Sequence, residues 1–234
     1  MDINGKKAIV FGGTSGIGLA TCQELQARGA NVVAVSREPN KAGTSIAGIR
    51  LAAVDARDTE AVSAFFESEG KIDILISSAT GGSRAFGPFL EMDIDGFKGS
   101  FDKLWGYSNV VRYGTAKLSD DGCIVLVSGT PARKMKPGQV ALSAVGGAVE
   151  ALARAIAGEI VPKRINVVSP GIVDTPMVAL AGNDRTVHYS NVTKSHLIKR
   201  AGKPEEIANA ILFAVENDFI TGTTIDVDGG WLQS

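Results

Sequence analysis

Short runs of consecutive apolar residues alternate along this chain with longer stretches in which apolar positions recur every three or four residues. The short runs are KAIVFG (7–12), NVVAVS (31–36), IRLAAV (49–54), IDILIS (72–77), CIVLVS (123–128), RINVVS (164–169) and TTIDVD (223–228). Such short, near-continuous runs predict strands buried on both faces of a parallel sheet. The helical stretches are 16–29, 58–69, 97–118, 139–160 and 204–216. Their alternation with the strands predicts βαβ units. The expected fold is therefore α/β, a doubly wound parallel sheet of about seven strands with helices on both faces. No linker, repeat or low-complexity block interrupts the chain, so residues 1–234 are expected to form a single domain. Two segments break the rhythm: the glycine-rich ATGGSRAFGPF (79–89) and a lid-like segment, 173–203. Both follow strand ends, on the side where open α/β sheets bind ligands.

Composition narrows the classes of function. The 234 residues are 44% hydrophobic with a formal net charge of −1. That balance gives no broad electrostatic reason to expect nucleic acid or an anionic membrane as partner. No apolar run is read as reaching the ~18–20 residues of a membrane span, and MDINGKKAIVFGG enters a strand pattern without a signal-peptide layout. Cys22 and Cys123 lack metal-ligand spacing and read as buried small residues in a reducing compartment. No metal site is expected, and the expected location is cytoplasmic.

The first strand runs directly into GGTSGIG (12–18), with Gly12, Gly16 and Gly18 preceding the helical LATCQELQARG. A strand, a glycine turn and a helix start form the context of a dinucleotide site. The glycines let backbone approach a pyrophosphate, and the helix N-terminus offers free N–H groups to it. After the second strand stands Ser36-Arg37 rather than an acidic residue. A guanidinium suits a ribose 2′-phosphate, which favours NADP(H) over NAD(H).

The glycine spacing resembles that of the short-chain dehydrogenase/reductase family, and the resemblance extends along essentially the whole chain. VDARD (54–58), ILISSAT (74–80), SPGIVDTPM (169–177) and ITGTTIDVDGGW (220–231) are each similar to a family segment. The resemblance implies a Rossmann-type fold. It also implies cofactor contacts from Gly12, Thr14, Ser15, Gly16, Ile17 and Gly18 in the turn, and from Ser36 and Arg37 after the second strand. Asp55 and Ala56 would meet adenine. Ser78, Ala79 and Thr80 would follow the fourth strand, and Pro170, Gly171, Val173, Thr175 and Met177 would lie over the nicotinamide. A small-molecule substrate and a homo-oligomer, dimer or tetramer, are implied in the same way.

The same resemblance exposes a gap. Typical members begin the helix corresponding to 139–160 with a tyrosine and, four residues on, a lysine; here those positions hold Leu142 and Gly146. The usual serine position is Gly129, between Ser128 and Thr130, and the usual asparagine falls on Lys103. Leucine and glycine side chains can neither donate nor accept a proton. Lys103 is the leading replacement, with a surface lysine as the alternative. Ser128 and Thr130 are candidate hydroxyls. His188 and Tyr189 in the lid, and His196 after them, could supply a donor, with a loop residue of no chemical task as the alternative for each. Tyr107 and Tyr113 read as packing residues, Arg84 as a solvated loop arginine or a contact for an anionic substrate, and Trp105 and Trp231 as core or interface residues. The favoured function is an atypical NADP(H)-dependent oxidoreductase acting on a small carbonyl, imine or enone with a non-standard proton donor. A non-catalytic NADP(H)-binding sensor or partner subunit, and a non-redox dehydratase or isomerase, are the other readings.

Overall fold

The computed structural model describes residues 1–42, 47–80 and 84–234. Seven strands form one sheet: β1 (Lys7–Phe11), β2 (Asn31–Ser36), β3 (Arg50–Ala53), β4 (Ile72–Ser77), β5 (Leu118–Val127), β6 (Arg164–Pro170) and β7 (Thr224–Val227). Their order is β3-β2-β1-β4-β5-β6-β7, and every neighbouring pair is parallel. The chain winds outward from β1 to β3 and then returns to place β4 against β1. The crevice at the C-terminal ends of β1 and β4 is thus the topological switch point where such sheets bind ligands.

The helices are α1 (Gly16–Ala27), α2 (Thr59–Glu69), α3 (Ile94–Ser100), α4 (Asp102–Thr115), α5 (Val140–Ala157), α6 (Gly182–Val192) and α7 (Pro204–Glu216). Alternation along each strand explains the uninterrupted apolar runs. Ala8 and Val10 of β1 pack with Cys22 and Leu25 of α1 and Ile211 and Val215 of α7. Ile9 and Phe11 point the other way, into a cluster with Phe66 of α2, Val110 of α4 and Val149 of α5. Both faces of the strand are covered, so neither register position tolerates a polar residue. Cys22 and Cys123 are buried, as expected, and burial pushes both thiols up, to about 12 and about 11.

Three expectations change. The helix expected over 97–118 is two helices, α3 and α4, meeting at Phe101. Ser100 Oγ donates back to Gly96 O (2.9 Å) and accepts from Ala85 N (2.9 Å). Serine back-bonding of this kind bends helices, and here it also pins the preceding loop. The lid-like segment 173–203 contains α6, a helix whose apolar periodicity is weak. Arg185 ties α6 down, donating to Asp174 and to the carbonyls of Thr175 (2.8 Å) and Val178 (2.5 Å). Finally, α5 is 18 residues long with a mean hydropathy of 1.5, so by length and composition alone it could cross a membrane. Its Ala, Val and Gly content gives that value despite Glu150 and Arg154, and one face is buried through Val145, Gly146, Val149 and Ala153.

Arg164, at the start of β6, is buried (8% exposed). Its guanidinium donates to Ala214 O (2.9 Å), Val215 O (2.7 Å) and Ile220 O (3.1 Å), satisfying carbonyls at the end of α7 and in the turn beyond it. Arg164→Leu is expected to orphan these acceptors. The expected cost is about 2–4 kcal/mol, seen as a melting temperature lower by roughly 5–12 °C.

Candidate cofactor and substrate cleft

Two adjoining cavities open at the switch point. The smaller, about 150 Å³, lies over β1, β2 and the start of the 54–58 segment. The larger, about 500 Å³, extends past the N-terminus of α1 toward α5 and α6. Ser15, Thr80 and Lys103 line both.

Every residue expected to meet the cofactor lines one cavity or both. Gly12, Thr14, Ser36, Arg37, Asp55, Ala56 and Ala79 line the smaller one. Gly16, Ile17, Gly18, Ser78 and the Pro170, Gly171, Val173, Thr175 and Met177 series line the larger. Close packing brings these segments together. Gly12 N donates to Val35 O (2.8 Å) and Ser78 N to Phe11 O (2.9 Å), which ties the ends of β1, β2 and β4. Gly12 has φ +80°, and a Cβ there would lie 2.7 Å from Ala79 N. The loop after β6 crosses over α1, so that a Cβ on Gly16 would meet Thr175 at 3.4 Å.

The polar groups suit a dinucleotide. The N-cap Ser15 makes no side-chain cap, and the first turn of α1 carries no acidic residue, so its N–H groups are available to an anion. Ser36 Oγ is buried without a hydrogen-bond partner among the described residues, beside exposed Arg37. Asp55 accepts from Arg57 Nη2 (2.7 Å). These hydrogen bonds hold its carboxyl below the usual carboxylate range. Arg57 also reaches Asp102 (2.9 Å), and Asn109 Nδ2 donates to Ala56 O (3.1 Å). The 54–58 segment is thereby fixed to α4.

Lys103, in the first turn of α4, reaches inward. Its Nζ donates to Ser128 O (3.2 Å) and stands 5.4 Å from the centre of the Tyr107 ring. Tyr107 is fully buried and donates to Val127 O (3.0 Å), which confirms its packing role. Tyr113 also packs, partly buried, against the same cluster. Desolvation, and then the positive charge of Arg84, bring the Lys103 ammonium down to about 7. Leu142 and Gly146 line the same cleft, so the side chains at these two positions add no titratable group to its wall.

Other candidates fare differently. Ser128 lines the cleft, but its hydroxyl donates to Gly146 O (3.1 Å) and sits 3.4 Å from Glu150 Oε1. It is engaged with α5 and so is not a ready donor. Thr130 is buried (1% exposed) and lines the cleft. His188, Tyr189 and His196 all line it too. Tyr189 Oη accepts from Arg185 (3.3 Å), while His196 is buried and stacked on Trp231 at 5.8 Å. Burial pushes His196 below its ordinary value, and neither ring nitrogen has a partner among the described residues. Trp231 is a buried part of the cleft, but Trp105 is 61% exposed and outside the core. Gly81, Gly82 and Ser83 of the glycine-rich loop lie outside the described residues.

Arg84, read from sequence chiefly as a solvated side chain, is half-buried in the larger cavity and donates to Met177 Sδ (3.0 Å). Lys136 on the cleft and the buried Glu150, which lies 3.4 Å from Arg133 Nε, were not legible in the sequence. No local pattern marks these residues, because Arg84 and Lys136 stand in loops and Glu150 in the middle of α5.

A family profile described as enoyl-(acyl carrier protein) reductase matches residues 12–232. The chain is 30% identical to the L-xylulose reductase of Mesocricetus auratus, over 99% of this chain and 98% of that protein. This chain is a short-chain dehydrogenase/reductase. Within the family it is also 32% identical to the short-chain reductase protein NovJ of Streptomyces niveus, over 95% of this chain and 92% of that one. A solved small-chain dehydrogenase in complex with NADPH superimposes with a TM-score of 0.86 at 30% identity, over 99% of this chain and 100% of that one. The doubly wound sheet is thus the family's fold, and the switch-point cleft is where site chemistry is to be sought.

Proposed function

We propose that this short-chain dehydrogenase/reductase is an NADP(H)-dependent oxidoreductase acting on a small carbonyl, imine or enone, with Lys103 in place of the family's tyrosine as proton donor. The observation that carries this reading is the Lys103 ammonium at the junction of the two cavities, with Leu142 and Gly146 on the same cleft. The residues fit the cofactor. The uncapped start of α1 would take the pyrophosphate, Ser36 and Arg37 the adenosine ribose phosphate, and Asp55 and Ala56 the adenine. The loop from Pro170 to Met177 would cover the nicotinamide. When bound, the nicotinamide supplies or accepts the hydride.

Lys103 then takes the proton-donating task that Leu142 and Gly146 cannot perform. In the reductive direction its charged form donates a proton to the substrate oxygen, and the neutral amine left behind recovers a proton from solvent. A donor with a pKa near the working pH is well matched to that transfer. The half-buried position of Lys103 leaves it a path to water.

A second reading, an NADP(H)-binding sensor or partner subunit, draws on the same absence of a tyrosine–lysine pair at Leu142 and Gly146. The cofactor preference is tested separately from turnover. Arg37→Ala is expected to weaken NADPH binding at least about tenfold, as for loss of a charge-assisted hydrogen bond, while leaving NADH binding within about threefold. Equal loss for both, measured by cofactor fluorescence, would remove Arg37 from phosphate recognition.

A further inference from the structure

Among its described lining residues the larger cavity has Arg84, Lys103, Lys136, His188 and His196, and no aspartate or glutamate. This one-sided distribution is local, because the whole chain carries a net charge of −1. Arg84 is the informative member. It is half-buried, and among the described residues its only hydrogen bond is to the Met177 sulfur, a weak acceptor. Removing a guanidinium from water without a carboxylate is costly, and the positive charge of Arg84 disfavours the charged form of Lys103. Burial lowers the Arg84 pKa, but arginine stays charged. Its position is built rather than incidental. The next residue's backbone N–H is held by Ser100 Oγ at 2.9 Å, and Gly87 N donates to Gly138 O (3.0 Å). Apart from these basic side chains the wall is largely apolar, with Leu142, Val145, Ile172, Val178 and Trp231.

We propose that the substrate is a small organic anion, an oxo acid with an apolar body, whose carboxylate pairs with Arg84 while its carbonyl faces Lys103. The planar fork of arginine matches a carboxylate through two parallel hydrogen bonds. Burying the carboxylate there supplies the missing counter-charge, and the apolar wall accommodates the rest of the molecule. The assignment rests on the oxidoreductase reading for its carbonyl, but the anion site itself does not.

The test uses matched pairs: phenylglyoxylate, 2-oxobutyrate and 3-oxobutyrate, each against its methyl ester. Wild-type protein, Arg84→Gln and Arg84→Lys are compared with NADPH present. The wild type is expected to prefer acid to ester by at least about tenfold in kcat/KM for one or more pairs. Arg84→Gln brings that ratio to within about threefold of one, and Arg84→Lys lies between. An equal fall for acid and ester in Arg84→Gln, or no acid preference in the wild type, overturns the proposal. So does an unchanged ratio accompanied by a tenfold weaker NADPH affinity, which would assign Arg84 to the cofactor. Binding is read independently through Trp231, which lines the cleft. If no pair turns over but phenylglyoxylate perturbs the tryptophan fluorescence of the wild type and not of Arg84→Gln, the anion site stands and the oxidoreductase reading falls. If no acid turns over and none binds, the anion site falls.

Discussion

Lys103→Met is expected to lower kcat/KM for NADPH-dependent reduction by roughly 10²–10⁴, the usual worth of a positioned general acid. Affinity for NADPH should change by less than about tenfold, because the pyrophosphate and adenosine ends are held by other residues. The wild-type rate should fall as pH rises through about 7, where desolvation and Arg84 place the Lys103 ammonium, and the variant should lose that limb. Stability gives an independent check of the same shift. The folded-state pKa of Lys103 lies below its unfolded value of 10.5. Between about 7 and 10.5 the unfolded chain therefore binds more protons at this site, and this group makes stability rise with pH. Below about 7 both states are protonated and the burial penalty is fully present. Removing Lys103 should relieve that penalty most at low pH, so the variant's advantage over the wild type should shrink as pH is raised. Denaturant titrations at several pH values measure it. A variant with wild-type turnover and an unchanged pH profile would exclude Lys103 from the chemistry.

Gly18→Ala is expected to have the largest effect on the fold. A Cβ at Gly18 would overlap Gly12 O and stand 2.5 Å from Ser78 Oγ, so two backbone segments of the cradle would have to separate. Gly12 O is backbone, and Ser78 Oγ is held by its hydrogen bond to Phe11 O (3.1 Å). A cost of about 3–4 kcal/mol is expected, or a melting temperature lower by roughly 6–15 °C, together with loss of NADPH binding. Gly147 is the matched control. It lies within α5, and a Cβ there would meet nothing within 4 Å. Gly147→Ala should be neutral or more stable by up to about 1 kcal/mol. A Gly18→Ala protein melting within about 2 °C of the wild type would contradict the packing described for the cradle.

The parts of this protein that were legible in the sequence are those in which a local pattern has one physical solution. A run such as IDILIS, largely apolar and too short for a helix, reads as an interior strand, and β4 is found there as Ile72–Ser77. The turn of glycines after β1 likewise brought the cofactor-side residues to one crevice. Helix boundaries were less legible where a side chain competes for the backbone, as Ser100 does between α3 and α4. The membrane-length hydropathy of α5 was missed because small residues raise the mean without forming one unbroken apolar run. Side-chain partners were least legible. The sequence marks Ser128 as a hydroxyl near the site, but only the fold places Gly146 O within its reach. It marks Arg84 as a loop residue, and only the fold turns it into a cavity whose described lining lacks carboxylates.

Hydride transfer is proposed to proceed here with Lys103 and without the tyrosine–lysine pair. Its most direct test is loss of NADPH absorbance when the wild-type protein is mixed with carbonyl, imine and enone compounds that include oxo acids, across pH. One product is expected per NADPH consumed, with a rate that falls above about pH 7. Tight NADPH binding with no NADPH consumed by any compound would contradict it.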